Sequence, residues 1–406
     1  MLQTSSPRPN VRPATRRRAV ALVSLYLGAG LVAAGLFLAY RVYVHHATFA
    51  AREFFFLGGI HAADDDIGFR LAPNRNGIAV LQDGVREPAR RIAVRTNSSG
   101  FRVSLSDENP DEVSGGLAGI GCSCTFGHGV AAESTWVEVA ATGLGLAAAN
   151  LGVCAYSAVS SVELLRQHID TLRPQLIVYA YGNFHLERSR QPRTDITVYQ
   201  TYLTTRAAQP QRLRPQFNNR LIFALSPRIE AEYYTAKLEN RSLRFDLDKL
   251  GLLLPLALQD LQRTLHPATV RARFAPPPAL SDTALARWVT SELVAMAQTC
   301  GAHVAILFFP AFHGEQPSPG LMHVLGTLAG AEELFFVDVG PRLFAQVLDQ
   351  HEYSAHFQIP RDGHPNAAMH REMGVAVVEA ALAHAHTHLG AGAQRARAPD
   401  LDEIEQ

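Results

Sequence analysis

The fold that this sequence predicts is a three-layer α/β/α sandwich around a five-stranded parallel sheet, and three features predict it. Short apolar runs recur at residues 117–121, 148–153, 176–181, 304–309 and 334–339. Between them lie stretches with helical spacing: Val162, Leu165, Ile169 and Leu172, then Leu285, Val289, Leu293 and Met296 after the N-cap candidate Ser281. The runs are continuous rather than alternating, which suits strands buried on both faces by flanking helices, with ligands beyond their carboxyl ends.

The elements follow in order from the N-terminus. Residues 1–18 carry Arg8, Arg12, Arg16, Arg17 and Arg18 and no acid, and residues 19–40 carry no charge. A membrane span needs about 20 apolar residues, more than the roughly 7 to 15 of a cleaved signal. The expectation is a basic cytoplasmic tail at 1–18 and a transmembrane helix at 19–40. By the positive-inside rule, the expectation is a single-pass protein of the inner (cytoplasmic) membrane with everything after residue 41 extracytoplasmic.

Residues 41–115 form a turn-rich N-terminal extracytoplasmic segment whose most distinctive string is Asn97-Ser-Ser-Gly-Phe-Arg102. This block reads as a domain edge rather than a substrate contact. The domain with this β-α rhythm spans 116–386. Its β-α rhythm breaks at about 187–280, which reads as an inserted cap, and 387–406 lacks any apolar period and reads as a disordered tail.

Composition narrows the partners. With 37 basic and 37 acidic residues there is no net charge to attract nucleic acid. The four cysteines, Cys122, Cys124, Cys154 and Cys300, match no zinc spacing, and no disulfide is assigned. The histidine tract ending at His388 offers three imidazoles to a metal, but such tracts near a terminus are usually inert.

Two strings carry chemistry. Gly121-Cys-Ser-Cys-Thr-Phe-Gly127 places a hydroxyl where the first apolar strand ends and the chain turns toward a helix, the position in which a nucleophile is exposed and backbone N–H groups face a developing oxyanion. Asp362-Gly-His-Pro-Asn366 places a carboxylate beside an imidazole, a pairing that orients the tautomer of a general base. Each string alone is common. Cys122 or Cys124 could instead supply a thiolate.

Taken together, five blocks in order resemble the SGNH (GDSL-like) hydrolase family, in its membrane-anchored bacterial form. They are Asn97-Ser-Ser-Gly-Phe-Arg102, Gly121-Cys-Ser-Cys-Thr-Phe-Gly-His-Gly-Val130, Asn150-Leu-Gly-Val-Cys-Ala-Tyr-Ser157, Tyr181-Gly-Asn-Phe184 and Asp362-Gly-His-Pro-Asn366. The resemblance spans about residues 95–383 and implies an SGNH/flavodoxin-like sheet. It implies Ser123 as nucleophile, His364 as general base and Asp362 as the group orienting the imidazole. It also implies an oxyanion hole made by the backbone N–H groups of Ser123 and Ala155 and the side-chain amide of Asn183.

Three positions depart from the family's pattern: Cys122 stands for an Asp, Ala155 for a Gly, and Phe184 where an Asp is common. The Asp362–His364 spacing is also one residue shorter than the commoner form. The implied reaction is serine esterase or deacylase chemistry without metal or organic cofactor. Its substrate is an ester-bearing small molecule or O-acyl groups on an envelope glycan or lipid. The same residues would serve an O-acyltransferase, and a catalytically inactive envelope scaffold is the reading from another class.

Overall fold

The computed structural model describes residues 13–51, 54–64, 67–81, 90–190, 250–251, 253–255, 257–258, 261, 281–328, 331–360 and 362–388. Most of the expected cap at 187–280, and the expected tail from 389 onward, lie outside the described residues. The chain divides into two units, Met1–Ala51 with Leu243–Val270, and Arg52–Ser242 with Arg271–Gln406.

In the first unit, α1 (Pro13–Ala51) is a single helix, longer at both ends than the expected span. Its stretch Val20–Val44 is long and apolar enough to cross a membrane.

The second unit is a mixed α/β fold built on one large sheet. Strands β1 (Phe54–Leu57), β4 (Asn76–Leu81), β5 (Arg90–Thr96) and β6 (Arg102–Val103) come from the turn-rich segment, and β2 (His61–Asp64) pairs with β3 (Gly68–Leu71) as a separate ribbon. There follow β7 (Leu117–Ile120), α2 (Ser123–Phe126), α3 (Trp136–Leu144), β8 (Ala148–Asn150), α4 (Ala158–Leu172), β9 (Leu176–Tyr181) and α5 (Phe184–Arg190). Further along the chain come α6 (Asp282–Cys300), β10 (His303–Phe308), α7 (Pro319–Thr327), β11 (Leu334–Asp338), α8 (Gly340–Phe344), α9 (Gln350–Phe357) and α10 (Ala367–His388).

The sheet has nine strands in the order β1-β4-β5-β6-β8-β7-β9-β10-β11. This corrects the five-stranded expectation. The five apolar runs do form a contiguous parallel set, β8-β7-β9-β10-β11. The four added strands are antiparallel and join through Arg102 opposite Asn150. Of these, β5 and β6 escape a reading based on apolar runs because β5 exposes its first residues and alternates thereafter, and β6 is two residues long.

Burial explains the contrast. β7 and β9 are buried throughout, as strands covered by helices on both faces should be. The helices are capped as local chemistry requires: the Ser157, Ser281 and Ser318 hydroxyls accept from Ser160, Ala284 and Leu321 N–H at the starts of α4, α6 and α7. The whole arrangement brings the carboxyl ends of β7 and β9 to the edge where the α9–α10 loop returns.

Candidate active site

The chain leaves β7 through Gly121 and enters the one-turn helix α2 at Ser123. Gly121 has φ 152°, and a Cβ there would stand 2.2 Å from Thr125 Oγ1, so only glycine fits this exit. Arg102, 1% exposed, holds the far side of the turn. Its Nη1 donates to the Phe126 carbonyl at 2.5 Å and to the Gly127 carbonyl at 2.6 Å, and its Nη2 donates to the Val130 carbonyl at 2.6 Å. Its guanidinium also lies 4.6 Å from the Phe126 ring centroid. Burial lowers its pKa to about 10, leaving it charged at neutral pH.

The neighbouring blocks are equally local in purpose. Asn150 at the end of β8 donates to the Thr125 carbonyl at 2.9 Å and accepts from Gly152 N–H at 3.0 Å. Asn97 accepts from the Ser99 and Phe101 N–H groups and donates to the Pro110 carbonyl. The Asn97–Arg102 block is thus a brace for the sheet edge and the turn at Ser123.

Ser123 Oγ lies 2.8 Å from His364 Nε2, and His364 Nδ1 is hydrogen-bonded to Asp362 Oδ1. The short Asp362–His364 spacing works because Gly363 adopts φ 78°, turning the two side chains toward each other. The loop is fixed by Ile359 N–H donating to the His364 carbonyl at 2.8 Å and by Asn366, whose Nδ2 donates to the His356 carbonyl at 2.8 Å.

A fourth group was not foreseen. His128, 5% exposed, places Nε2 3.2 Å from Asp362 Oδ2 and stacks on the His364 ring, with centroids 4.1 Å apart and planes 24° off parallel. Burial opposes ionisation of Asp362, but the hydrogen bonds from His128 and His364 outweigh it and hold the carboxyl well below the usual carboxylate range. Burial also lowers the His128 pKa against the pull of Asp362, so His128 favours its neutral form beside His364. His128, Asp362 and His364 form the only group among the described residues whose ligand atoms, within 4.8 Å of one another, could close on a metal. Both imidazoles hydrogen-bond the Asp362 carboxylate.

The residues expected to form the oxyanion hole differ in their local geometry. Ala155 has φ 65°, a left-handed conformation that costs a non-glycine residue about 1–2 kcal/mol. The glycine missing from this position would have suited it. Its N–H has no acceptor among the described residues.

Asn183 departs from the expectation. Its amide donates to Glu315 Oε1 and to the Gln316 carbonyl, both at 2.9 Å, and its Oδ1 accepts from Ser318 N–H at 2.9 Å. Both amide hydrogens therefore clamp the loop before α7.

That pocket, about 510 Å³ with its mouth, is lined by Ser123, Cys124, Phe184, Arg188, Phe309 and His364, among others. The four cysteines are free thiols. Cys124 faces the pocket, but its bond to Cys122 and its burial push its pKa well up, which keeps it the poorly nucleophilic thiol. Cys122 is fully buried behind Ser123. In the histidine tract, His384 stacks on Phe335 at 4.6 Å and meets His303 at 3.3 Å, on the flank of α10.

Beneath the site, His370 on α10 is fully buried, and its Nδ1 accepts from Trp136 N–H at 3.2 Å at the start of α3. Burial, with Arg102 and His364 nearby, lowers its pKa to about 3. A pKa below the unfolded value of about 6.5 stabilises the fold fully above pH 6.5, and that contribution is lost as pH falls toward 3. The expected loss is roughly 3 kcal/mol between pH 7 and 4. His370→Asn keeps an acceptor without the titration, so its denaturation midpoint should fall less over that range. Profiles parallel to wild type would contradict the assignment.

No protein-family model matches the chain, and no curated protein matches it. A solved structure from Desulfitobacterium hafniense DCB-2, provisionally named a lipolytic protein of the G-D-S-L family, aligns with 65% of this chain and 98% of its own. The identity is 12% and the TM-score 0.30. An overlap this loose fixes neither fold nor activity.

Proposed function

We propose that this protein is a serine esterase or deacylase working through an acyl-enzyme on Ser123. The observation that carries the reading is the 2.8 Å contact between Ser123 Oγ and His364 Nε2, with Asp362 on the other ring nitrogen. In that arrangement Nδ1 carries the proton donated to Asp362, and Nε2 is left as the base. Ser123 Oγ attacks the ester carbonyl carbon as its proton passes to Nε2. The tetrahedral oxyanion collapses, His364 returns the proton to the departing alkoxide, and the acyl group remains on Ser123. Water, deprotonated by His364, then releases the acid.

With the Asn183 amide engaged elsewhere, the backbone N–H groups of Ser123 and Ala155 are the oxyanion donors in this reading. An anchoring helix at Val20–Val44 suits an inner-membrane protein acting on O-acylated envelope glycans or lipids outside the cytoplasm. Full-length protein in detergent should hydrolyse p-nitrophenyl acetate, and His364→Ala should not. Equal rates would defeat the reading.

His128 is a positioning residue here, holding the second oxygen of Asp362. His128→Phe keeps the stacked ring but not the donor and should lower kcat roughly tenfold at nearly constant KM. His128→Gln, which can still donate, should recover most of the loss. Equal loss in both variants would make His128 a packing residue only.

A further inference from the structure

Arg188 belongs to the same pocket as Ser123 and His364, yet nothing in the acyl-transfer steps uses it. It stands on α5, one helical turn after Phe184, with its guanidinium 4.4 Å from that ring's centroid. The ring fixes one face of the cation and leaves the N–H edge for another partner. Nη1 is shielded from solvent and has no hydrogen-bond acceptor among the described residues. A charged donor buried without an acceptor is costly and calls for a partner that arrives later.

From these contacts we infer that Arg188 is an anion-recognition subsite, and that the ester processed at Ser123 carries a carboxylate, sulfonate or phosphate group near the scissile bond. The inference rests on the esterase reading and names its substrate class. The planar guanidinium edge matches a two-oxygen anion bidentately. Phe309, Pro310 and Met369 line the same pocket as apolar surface beside the polar Gln358 and Asp362, and Arg188 is the permanent cation among its described lining residues, so it is the group that would place an anion there. Phe184 contributes a second way: an acid at this position would have neutralised Arg188, whereas an aromatic ring steers it without occupying it.

The test compares three esters on full-length protein in detergent. They are p-nitrophenyl acetate, which is neutral, p-nitrophenyl hydrogen glutarate, charged on the acyl side, and 4-acetoxybenzenesulfonate, charged on the alcohol side. One of the charged esters should exceed the neutral one in kcat/KM by roughly ten- to hundredfold. Arg188→Gln should abolish that preference mainly through KM, and Arg188→Lys, which keeps the charge but not the fork, should retain part of it. The favoured ester tells which half of the substrate carries the anion.

A second arm removes turnover: calorimetry of glutarate and benzenesulfonate with Ser123→Ala protein, with and without Arg188→Gln, each variant checked for an unchanged melting temperature. Arg188-dependent binding without turnover of any ester in wild type would keep the anion subsite and overturn the esterase reading. Turnover without charge preference, together with binding that ignores Arg188, would overturn the subsite and leave the esterase reading intact.

Discussion

Ser123→Ala lowers kcat/KM for p-nitrophenyl acetate by roughly 10³- to 10⁶-fold, the range over which loss of a serine nucleophile is felt when its base remains in place. The expectation follows from geometry rather than from the serine's identity. Its Oγ is the atom within 2.8 Å of the His364 base, at the start of the one-turn helix α2. Because the serine and histidine act as one unit, adding His364→Ala to Ser123→Ala should cost almost nothing further. A double variant much worse than either single one would mean that the two residues work in separate paths. Cys124, the other potential nucleophile in the pocket, is held as a thiol and should not rescue the serine variant.

Arg102→Met should destabilise the protein by about 3–5 kcal/mol, measured by chemical denaturation of the full chain in detergent. Three carbonyls, those of Phe126, Gly127 and Val130, point at the guanidinium from the end of α2 and the loop beyond it. Methionine fills much of the volume and satisfies none of them. The same change should also loosen the turn that presents Ser123, so the residual folded protein should lose turnover. A cost below 1 kcal/mol would show that the turn holds itself and that Arg102 is incidental.

How much of this was legible before the structure depends on whether the signal was local. The parallel strands β7 to β11 announce themselves as unbroken apolar runs, which burial on both faces demands of the central β7 and β9, and the structure contains each of them. The antiparallel extension did not announce itself: β5 opens on two exposed arginines and β6 is too short to carry a period. Its anchor, Arg102, was marked only as part of a domain-edge block, and it is among the largest fully buried side chains.

At the site, Ser123, Asp362 and His364 were marked by motif resemblance, and the structure brings them together. The short Asp362–His364 spacing looked like a weakness, and the left-handed Gly363 accounts for it. His128 carried no separable signal among seventeen histidines, since its partner is far along the chain. Asn183 was read as an oxyanion donor because its motif invites it, but the groups that consume its amide, Glu315 and Gln316, are equally distant in sequence. In both cases what decided a residue's role was a long-range partner, which a one-dimensional pattern does not contain.

The measurement that bears most directly on the account is fluorophosphonate labelling of the full-length protein, with the modified residue located by peptide mass spectrometry. A single adduct on Ser123, lost in His364→Ala protein whose melting temperature is unchanged, is the predicted result. An adduct on Cys124, or none on folded wild-type protein, would contradict it.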